Sequence, residues 1–221
     1  MAETTEAPPK VVTLDVVSDP VCPWCLIGHL RLKRALEVRP EHPLRLVWRP
    51  FRLNPDMPPE GMDRRAYYEA KFGGAEAADR VIARIEAAAE ADGAPLDLAR
   101  IPRQPQTLDA HRLMRLAREA DRETALAEAL FRRFFLTCED IGDRAVLASA
   151  AEEAGLDAAA ALARLDAGAA RDETLAEEAE ARALGIGGVP AYIIGGRRLV
   201  GGAQPTQAWI DALEALAGGR G

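Results

Sequence analysis

The apolar positions of this chain follow a strand period near its two ends and a helix period through most of its middle. Residues 10–17 form an apolar run, and residues 44–51 alternate apolar and basic side chains, so both segments predict β-strands. Between them, residues 23–38 repeat their apolar positions at helical spacing. A strand, a helix and a strand in this order predict a β-α-β unit whose two strands are parallel.

The long middle segment is predicted to be helical. Residues 52–62 contain three prolines and one glycine, which indicate a loop rather than a regular element. From about residue 63 to residue 184 the apolar positions recur at helical spacing, with one break around residues 95–105. The predicted helices in this segment lie near residues 81–89, 107–120, 126–134, 143–154, 157–165 and 171–184.

The strand period returns near the C-terminus. Residues 191–194 predict a short strand, the glycines at 195–196 predict a hairpin turn, and residues 197–200 predict the partner strand. An amphipathic helix over residues 209–217 follows. Without the helical middle segment, the order β-α-β followed by β-β-α resembles a thioredoxin fold.

The predicted fold class is therefore α/β: a thioredoxin-like fold with a large all-helical insertion between its two halves. A chain of 221 residues is long enough to bury a sizeable core without disulfide bonds. We predict a discontinuous thioredoxin-like domain at residues 10–51 and 185–217. The helical insertion domain is predicted at residues 63–184, and a flexible N-terminal tail at residues 1–9.

Charge and composition argue against several classes of partner. The net charge of −7 argues against non-specific binding of nucleic acid, which needs a basic face. No stretch approaches the ~18 apolar residues of a membrane span, and the first ten residues lack the basic and apolar regions of a secretory signal. We therefore expect a cytoplasmic protein without a nucleic-acid or membrane partner, either a monomer or a homodimer.

Two cysteines lie where the first strand gives way to the first helix, in the motif Cys22-Pro23-Trp24-Cys25. At a helix N-terminus, unpaired N–H groups and the helix dipole favour negative charge, and the thiolate is the nucleophilic form of cysteine. One helical turn brings Cys25 back towards Cys22, so the pair can form and open a disulfide. We predict that Cys22 is the nucleophile and Cys25 the resolving thiol. The uncharged Pro23 and Trp24 are predicted to orient the helix start and shield one sulfur.

A metal site is the other chemistry that such a cysteine pair supports. Zinc needs four ligands; Cys22, Cys25 and His29 supply three, and neither a second Cys-x-x-Cys nor a matching histidine pair completes the set. Haem attachment needs a histidine directly after Cys25, where Leu26 stands. We therefore predict no metal site. Cys138 has no partner nearby in the sequence and is predicted to be a buried apolar thiol.

Several segments together are similar to one protein family: Ser18 to Gly28 (SDPVCPWCLIG), Gly187 to Pro190 (GGVP) and Gly201 to Pro205 (GGAQP). They resemble the DsbA-like thioredoxin-fold oxidoreductases, in particular the FrnE-like cytosolic branch. The segment from Thr107 to Leu113 (TLDAHRL) is also similar to that branch, whose pattern usually opens with Asn-Thr, whereas Gln106 precedes Thr107 here. The resemblance covers about residues 10–217, nearly the whole chain.

The resemblance implies further site residues. It implies that Val189-Pro190 faces the cysteine pair through a cis peptide bond, so that the Val189 backbone can pair like a β-strand with an extended thiol substrate. It also implies that His111 lies near the active-site cleft. There His111 would either bind substrate or act as a core or capping residue.

Other aromatic and basic residues are predicted to have less specific roles. Trp48 and Trp209 are predicted to be core residues. The pairs Arg64-Arg65 and Arg197-Arg198 are predicted to be solvated, with binding of an anionic ligand such as glutathione as the alternative. Three aromatic residues early in the helical segment are predicted to line the cleft or pack on the fold: Tyr67, Tyr68 and Phe72.

Three functions fit the sequence. The leading hypothesis is a thiol-disulfide oxidoreductase or isomerase that reacts with thiol- or disulfide-bearing proteins or small molecules through a mixed disulfide on Cys22. It needs no cofactor, and glutathione is a candidate co-substrate. The alternative is a glutathione-dependent isomerase or transferase of the kappa-class or 2-hydroxychromene-2-carboxylate isomerase type, whose members usually carry serine where this chain has Cys22. A third hypothesis is a chaperone-like holdase whose activity survives loss of both cysteines.

Overall fold

The computed structural model describes residues 11–218. Within this range the strands lie at Val12–Ser18 (β1), Leu44–Pro50 (β2), Met62–Asp63 (β3), Arg103–Gln104 (β4), Ala191–Ile194 (β5) and Arg198–Gly201 (β6). The helices lie at Pro23–Val38 (α1), Arg64–Phe72 (α2), Ala75–Ala91 (α3), Leu108–Arg118 (α4), Glu123–Phe135 (α5), Arg144–Glu153 (α6), Ala158–Asp166 (α7), Arg171–Ala183 (α8) and Thr206–Gly218 (α9). A 3₁₀ turn spans Leu98–Arg100.

The main sheet has four strands in the order β2-β1-β5-β6. Strands β1 and β2 are parallel, with Val12 opposite Leu44 and Ser18 opposite Pro50. Strand β5 runs antiparallel to both β1 and β6. The predicted α/β order, β-α-β followed by β-β-α, is therefore confirmed.

Strand β1 is central in this sheet and ends directly at the cysteine motif. Its residues from Leu14 to Ser18 are all buried, as expected for a strand covered on both faces. Helix α1 follows and buries Ile27, Leu32 and Ala35, while α9 packs beside it. The end of β1 and the start of α1 are thus held by the core of the protein.

The inserted helices share a core with the sheet. Trp48 of β2, Leu113 of α4 and Phe131 of α5 belong to the same buried apolar cluster as Leu14 of β1. Helices α2 and α3 pack on each other, and two residues of α2, Tyr67 and Tyr68, belong to a smaller separate cluster. The division of the chain into two domains stays a prediction.

One part of the inserted segment differs from the prediction of an all-helical insertion. Strands β3 and β4 pair antiparallel, with Met62 opposite Gln104 and Asp63 opposite Arg103. Strands of two residues are too short to produce an alternating pattern, and Pro102 and Pro105 flank β4 where a helix would otherwise continue. The segment is therefore helical except for this short ladder and the neighbouring 3₁₀ turn.

The predictions of a flexible N-terminal tail and of no membrane span depend on which residues the structure describes. The predicted flexible tail, residues 1–9, lies outside the described residues. In the part of the chain that is described, no helix is both long enough and apolar enough to cross a membrane.

Candidate active site

Cys22 is the N-cap residue of α1 and has an extended backbone, with φ −90° and ψ 114°. Its carbonyl accepts the N–H groups of Cys25 at 3.0 Å and Leu26 at 3.3 Å, so the first helical turn closes directly behind it. Pro23 occupies the first turn, where a missing N–H removes no helical hydrogen bond. Cys22 therefore lies at the positive end of the helix dipole, as the sequence predicted.

The structure brings Cys22 and the Val189-Pro190 loop together although 167 positions separate Cys22 from Val189. Both Cys22 and Cys25 are reduced and buried. The Cys22 thiol donates a hydrogen bond to the Val189 carbonyl, with 3.5 Å between sulfur and oxygen. The Val189–Pro190 peptide bond is cis. The reactive pair and this loop thus form one site.

Cys25 has a different environment from Cys22. Burial raises the pKa of the Cys25 thiol well above its usual value, and the adjacent Cys22 sulfur raises it further by a hydrogen bond and by charge. Hydrogen bonds from the Ser18 side chain and the Asp19 backbone act in the opposite direction. Because the first group of causes dominates, Cys25 is a protonated thiol at neutral pH in the reduced protein.

Asp19 connects the loop between β1 and α1 to two other segments. Its side chain is only 1% exposed, and Oδ2 accepts the backbone N–H of Leu53 at 2.8 Å. Oδ1 lies 3.5 Å from Nε2 of His111 on α4. The Asp19 carbonyl also accepts the N–H of Cys22 at 2.9 Å. The contacts of Asp19 tie the loop that carries Cys22 to these segments.

His111 occupies a position that the sequence left open. It is buried behind the active-site loop, where its Nε2 faces Asp19. The two facing atoms, His111 Nε2 and Asp19 Oδ1, form no hydrogen bond with each other, and binding of substrate by His111 stays a prediction. The segment from Thr107 to Leu113, which the sequence singled out by its resemblance to a protein family, does contact the active-site loop.

Gly28 permits the close approach of α1 to the Val189-Pro190 loop. A Cβ atom at this position would overlap the Tyr192 hydroxyl and would lie 3.2 Å from Pro190 Cγ and 3.4 Å from Ala203 Cα. The Tyr192 hydroxyl is buried and has no hydrogen-bond partner among the described residues. A glycine one turn after the cysteine motif is thus required by packing rather than by backbone conformation.

A cavity of about 220 Å³ opens beside Cys22, between the cysteine motif and helices α2 and α3. The predicted cleft aromatics do line it, which confirms that part of the sequence interpretation. Its apolar wall includes Trp24, Leu53, Tyr67, Tyr68, Phe72 and Val189. A substrate sulfur that reaches Cys22 from this cavity would pass an aromatic surface.

Lys71 of α2 and Arg84 of α3 also line the cavity, and sequence reasoning missed both. The Lys71 ammonium donates a hydrogen bond to the Tyr67 hydroxyl at 2.6 Å. The Arg84 guanidinium lies 5.8 Å from the centre of the Trp24 ring. A single basic residue in a helical segment is usually solvated, so the sequence carried no signal for this placement.

The prediction that Arg64 is solvated is wrong. Arg64 is 3% exposed, and its guanidinium donates to Gln104 Oε1 at 2.8 Å and to the Tyr68 hydroxyl at 3.0 Å. Burial lowers the pKa of the Arg64 guanidinium, which still remains charged because a guanidinium is not deprotonated in proteins. Arg65 and Arg197 are exposed as predicted, and the Arg198 side chain lies outside the description.

The remaining histidine and cysteine candidates are not among the residues that line the cavity beside Cys22. His29 contacts Glu128, with 2.8 Å between Nε2 and Oε1, and its ring packs on Trp48. Among residues 11–218 no group of three or more His, Cys, Asp or Glu side chains could hold a metal ion. Cys138 is a free thiol that is half-buried instead of fully buried. Trp48 and Trp209 are buried, as predicted.

Three known proteins resemble this chain in sequence or structure. The crystal structure of a probable DsbA oxidoreductase from Streptomyces coelicolor superposes with a TM-score of 0.83 at 33% identity, covering 95% of this chain and 92% of that one. The protein YwbO of Bacillus subtilis is 27% identical over 201 residues, which is 87% of this chain and 91% of the relative. The cytosolic disulfide reductase DsbM of Pseudomonas aeruginosa has a TM-score of 0.66 at 21% identity, covering 93% of this chain and 98% of that one, and shows the shared fold.

A family model supports the same assignment over nearly the whole length. The model described as DSBA-like thioredoxin domain matches residues 13–214. This range includes the cysteine motif at the start of α1, the inserted helices and the Val189-Pro190 loop. The chain therefore belongs to the DSBA-like thioredoxin domain family.

Proposed function

We propose that this protein is a thiol-disulfide oxidoreductase in which Cys22 is the nucleophile and Cys25 the resolving thiol. One observation carries the proposal. Both cysteines are buried, but Cys22 lies at the helix N-terminus and lines the cavity, whereas Cys25 lies one turn further along outside the lining, and burial raises its pKa so that it is held as a thiol. This asymmetry supports attack on the substrate by Cys22 and release of the product by Cys25.

The exchange consists of two balanced displacements. The Cys22 thiolate attacks one sulfur of a substrate disulfide; a mixed disulfide forms, and the other substrate sulfur leaves as a thiolate and takes up a proton. Cys25 then loses its proton and attacks the Cys22 sulfur, which releases the second substrate thiol. Two electrons have passed to the substrate, and the protein holds a Cys22–Cys25 disulfide.

The environment of Cys25 changes when the mixed disulfide forms, which affects its attack on the Cys22 sulfur. Two of the causes that raise its pKa are the hydrogen bond and the charge of Cys22. Both disappear when Cys22 enters a mixed disulfide, since its sulfur then carries neither charge nor proton. The hydrogen bonds from Ser18 and Asp19 remain and favour the Cys25 thiolate. Burial, the largest cause of the raised pKa, remains, so loss of the two Cys22 contributions lowers the pKa of Cys25 only in part.

We propose that the Val189 backbone orients the substrate. Val189 lines the cavity, and its carbonyl lies 3.5 Å from the Cys22 sulfur. An extended substrate that forms strand-like hydrogen bonds with Val189 would bring its sulfur next to Cys22. The Cys22 thiol gives up its hydrogen bond to this carbonyl when it reacts, so the carbonyl becomes free to accept an N–H from the substrate.

For direction and location we propose reduction or isomerisation of disulfides in the cytoplasm, as in the FrnE-like branch. A reducing compartment regenerates the dithiol after each turnover. The description of DsbM as a cytosolic disulfide reductase supports this direction. A second DsbM structure is described as containing GSH, which supports glutathione as the thiol that regenerates Cys22 and Cys25.

A single-turnover reaction tests the proposed function. Reduced protein is mixed with a small neutral disulfide, 2-hydroxyethyl disulfide, in the absence of any other reductant. We expect one molecule of disulfide to be consumed per protein molecule, with a Cys22–Cys25 disulfide located by peptide mass mapping. The Cys138→Ser variant serves as the control and should give the same stoichiometry, because Cys138 lies outside the site. A stable adduct on one cysteine without formation of the internal disulfide would contradict the proposal.

A further inference from the structure

The charged residues that line the cavity all have the same sign. Lys71 and Arg84 are its charged side chains other than the thiols, and among the described lining residues none is Asp or Glu. The chain as a whole has a net charge of −7, so acidic residues outnumber basic ones. A cationic lining in an acidic protein is a local feature of the cavity rather than a consequence of composition.

Neither cation is neutralised by a neighbouring carboxylate in the described part of the chain. Lys71 contacts the hydroxyl and, at 5.1 Å, the ring of Tyr67, and Arg84 contacts the ring of Trp24. Elsewhere on the same helices, Arg65 and Arg80 each contact a carboxylate. Arg65 of α2, for example, contacts both Glu69 and Asp79.

A third cation lies behind the cavity wall. The buried Arg64 donates its hydrogen bonds to Gln104 and to the Tyr68 hydroxyl, and both acceptors belong to the cavity lining. Its guanidinium also lies over the Tyr68 and Phe134 rings, at 4.8 Å and 5.0 Å from their centres. These partners are uncharged, so the positive charge of Arg64 adds to the field of Lys71 and Arg84.

The size and polarity of the cavity limit what can enter it. A volume of about 220 Å³ is below the ~300–1,000 Å³ of sites that enclose a drug-sized ligand. Aromatic and aliphatic side chains supply most of the wall. The cavity therefore suits one arm of a small disulfide, with an apolar spacer between the sulfur and an anionic end.

We propose that the preferred substrate is a low-molecular-weight disulfide whose arms carry carboxylates, held by Lys71 and Arg84 while one sulfur meets Cys22. This inference rests on the proposed exchange reaction and names its substrate class. The bonds made and broken are those of that exchange; the carboxylate takes no part in the chemistry. Trp24 links the exchange site to the carboxylate-binding site, since it follows Cys22 by two residues and packs under Arg84.

A series of three small disulfides tests the charge requirement. The anionic member is 3,3′-dithiodipropionate, the neutral member is 2-hydroxyethyl disulfide and the cationic member is cystamine. With glutathione-free dithiothreitol as the reductant, we expect kcat/KM for the anionic disulfide to exceed that for the neutral one by roughly tenfold, the combined scale of two exposed charge-assisted contacts. Cystamine should be the poorest of the three.

Matched variants assign the preference to the two cations. Lys71→Gln, Arg84→Gln and the double variant should each reduce the anionic-to-neutral ratio, with the double variant bringing it close to one. Arg80→Gln is the control, because Arg80 lies one turn before Arg84 on α3 but is highly exposed and outside the cavity lining. It removes the same net charge and should leave the ratio unchanged.

The outcomes separate this proposal from the proposed function. Equal kcat/KM for anionic and neutral disulfides, or an equal loss in Arg80→Gln, would overturn the substrate class while leaving exchange intact. Faster reduction of a protein disulfide such as that of insulin, insensitive to Lys71→Gln and Arg84→Gln, would also overturn it. No exchange with any of the three small disulfides or with insulin would contradict the proposed function itself.

Discussion

Replacing Cys22 with serine is expected to abolish disulfide exchange, with turnover falling by at least about a thousand-fold, the scale on which loss of a catalytic nucleophile is felt. A serine hydroxyl is not ionised at neutral pH and cannot form the mixed disulfide. The fold should be retained, because serine differs from cysteine by one atom and can occupy the same N-cap position, although Cys22 also packs in the buried core. The measurement is steady-state reduction of 2-hydroxyethyl disulfide, with circular dichroism to confirm folding.

The partner variant Cys25→Ser should behave differently. It retains the nucleophile and loses the resolving thiol, so the mixed disulfide on Cys22 should accumulate and be visible as an added mass. Cys138→Ser should match the unmodified protein in both assays. Equal loss of function in Cys22→Ser and Cys25→Ser with no trapped adduct in either would contradict the assigned order of the two cysteines, as would a trapped adduct on Cys25 when Cys22 is replaced.

Replacing Gly28 with alanine is expected to destabilise the protein by about 1–2 kcal/mol. Alanine gains roughly 0.5–1 kcal/mol over glycine inside a helix. Overpacking against a rigid neighbour costs about 1–3 kcal/mol, and here the added methyl overlaps the Tyr192 hydroxyl and presses on Pro190. The steric term is the larger, so stability should fall, and the active-site loop should shift with it. The measurement is the free energy of unfolding in urea, combined with kcat/KM.

A second substitution tests the cause of that loss. Tyr192→Phe removes a buried hydroxyl that has no partner among the described residues, so alone it should be neutral or slightly stabilising. In this background Gly28→Ala should cost much less, because the overlap is gone. Gly187→Ala is the matched control, since a methyl there meets nothing within 4 Å. Equal losses from Gly28→Ala with and without the Tyr192 hydroxyl would contradict the packing explanation.

The fold could be predicted largely from local patterns. The first helix, Pro23–Val38, begins at a proline suited to a first turn and carries a clear helical period, so its predicted and observed bounds coincide. The hairpin of β5 and β6 was indicated by two glycines at its turn, both of which adopt positive φ. The pairing of β3 with β4 was missed because two residues per strand contain no periodic signal.

The site was predictable only where its residues are contiguous or belong to recognisable motifs. Cys22 and Cys25 are adjacent on one helical turn, and their position follows from the end of β1 and the start of α1. Lys71 and Arg84 reach the cavity because α2 and α3 pack beside it, which is a tertiary effect with no local sequence signature. The burial of Arg64 likewise depends on Gln104, a distant residue that supplies its acceptor.

The contact between Asp19 and His111 illustrates the same limit. A carboxylate just before a helix can face inward, cap the helix or be solvated, and no local sequence signal distinguishes these placements for Asp19. The structure buries it with the Leu53 N–H on one oxygen and His111 near the other. A motif indicated that the segment around His111 belonged near the site, but only the three-dimensional arrangement shows that His111 faces Asp19.

The central claim is that Cys22 and Cys25 form a reversible redox pair, and a redox titration tests it most directly. The purified protein is equilibrated in graded glutathione buffers, free thiols are trapped, and the Cys22–Cys25 disulfide is counted by mass spectrometry, with Cys25→Ser as the control. The account predicts a reversible two-electron transition between roughly −120 and −270 mV, the range of catalytic thiol-disulfide proteins. Absence of any reversible disulfide, together with tight binding of glutathione to the reduced protein, would contradict it and favour a glutathione-dependent isomerase or transferase.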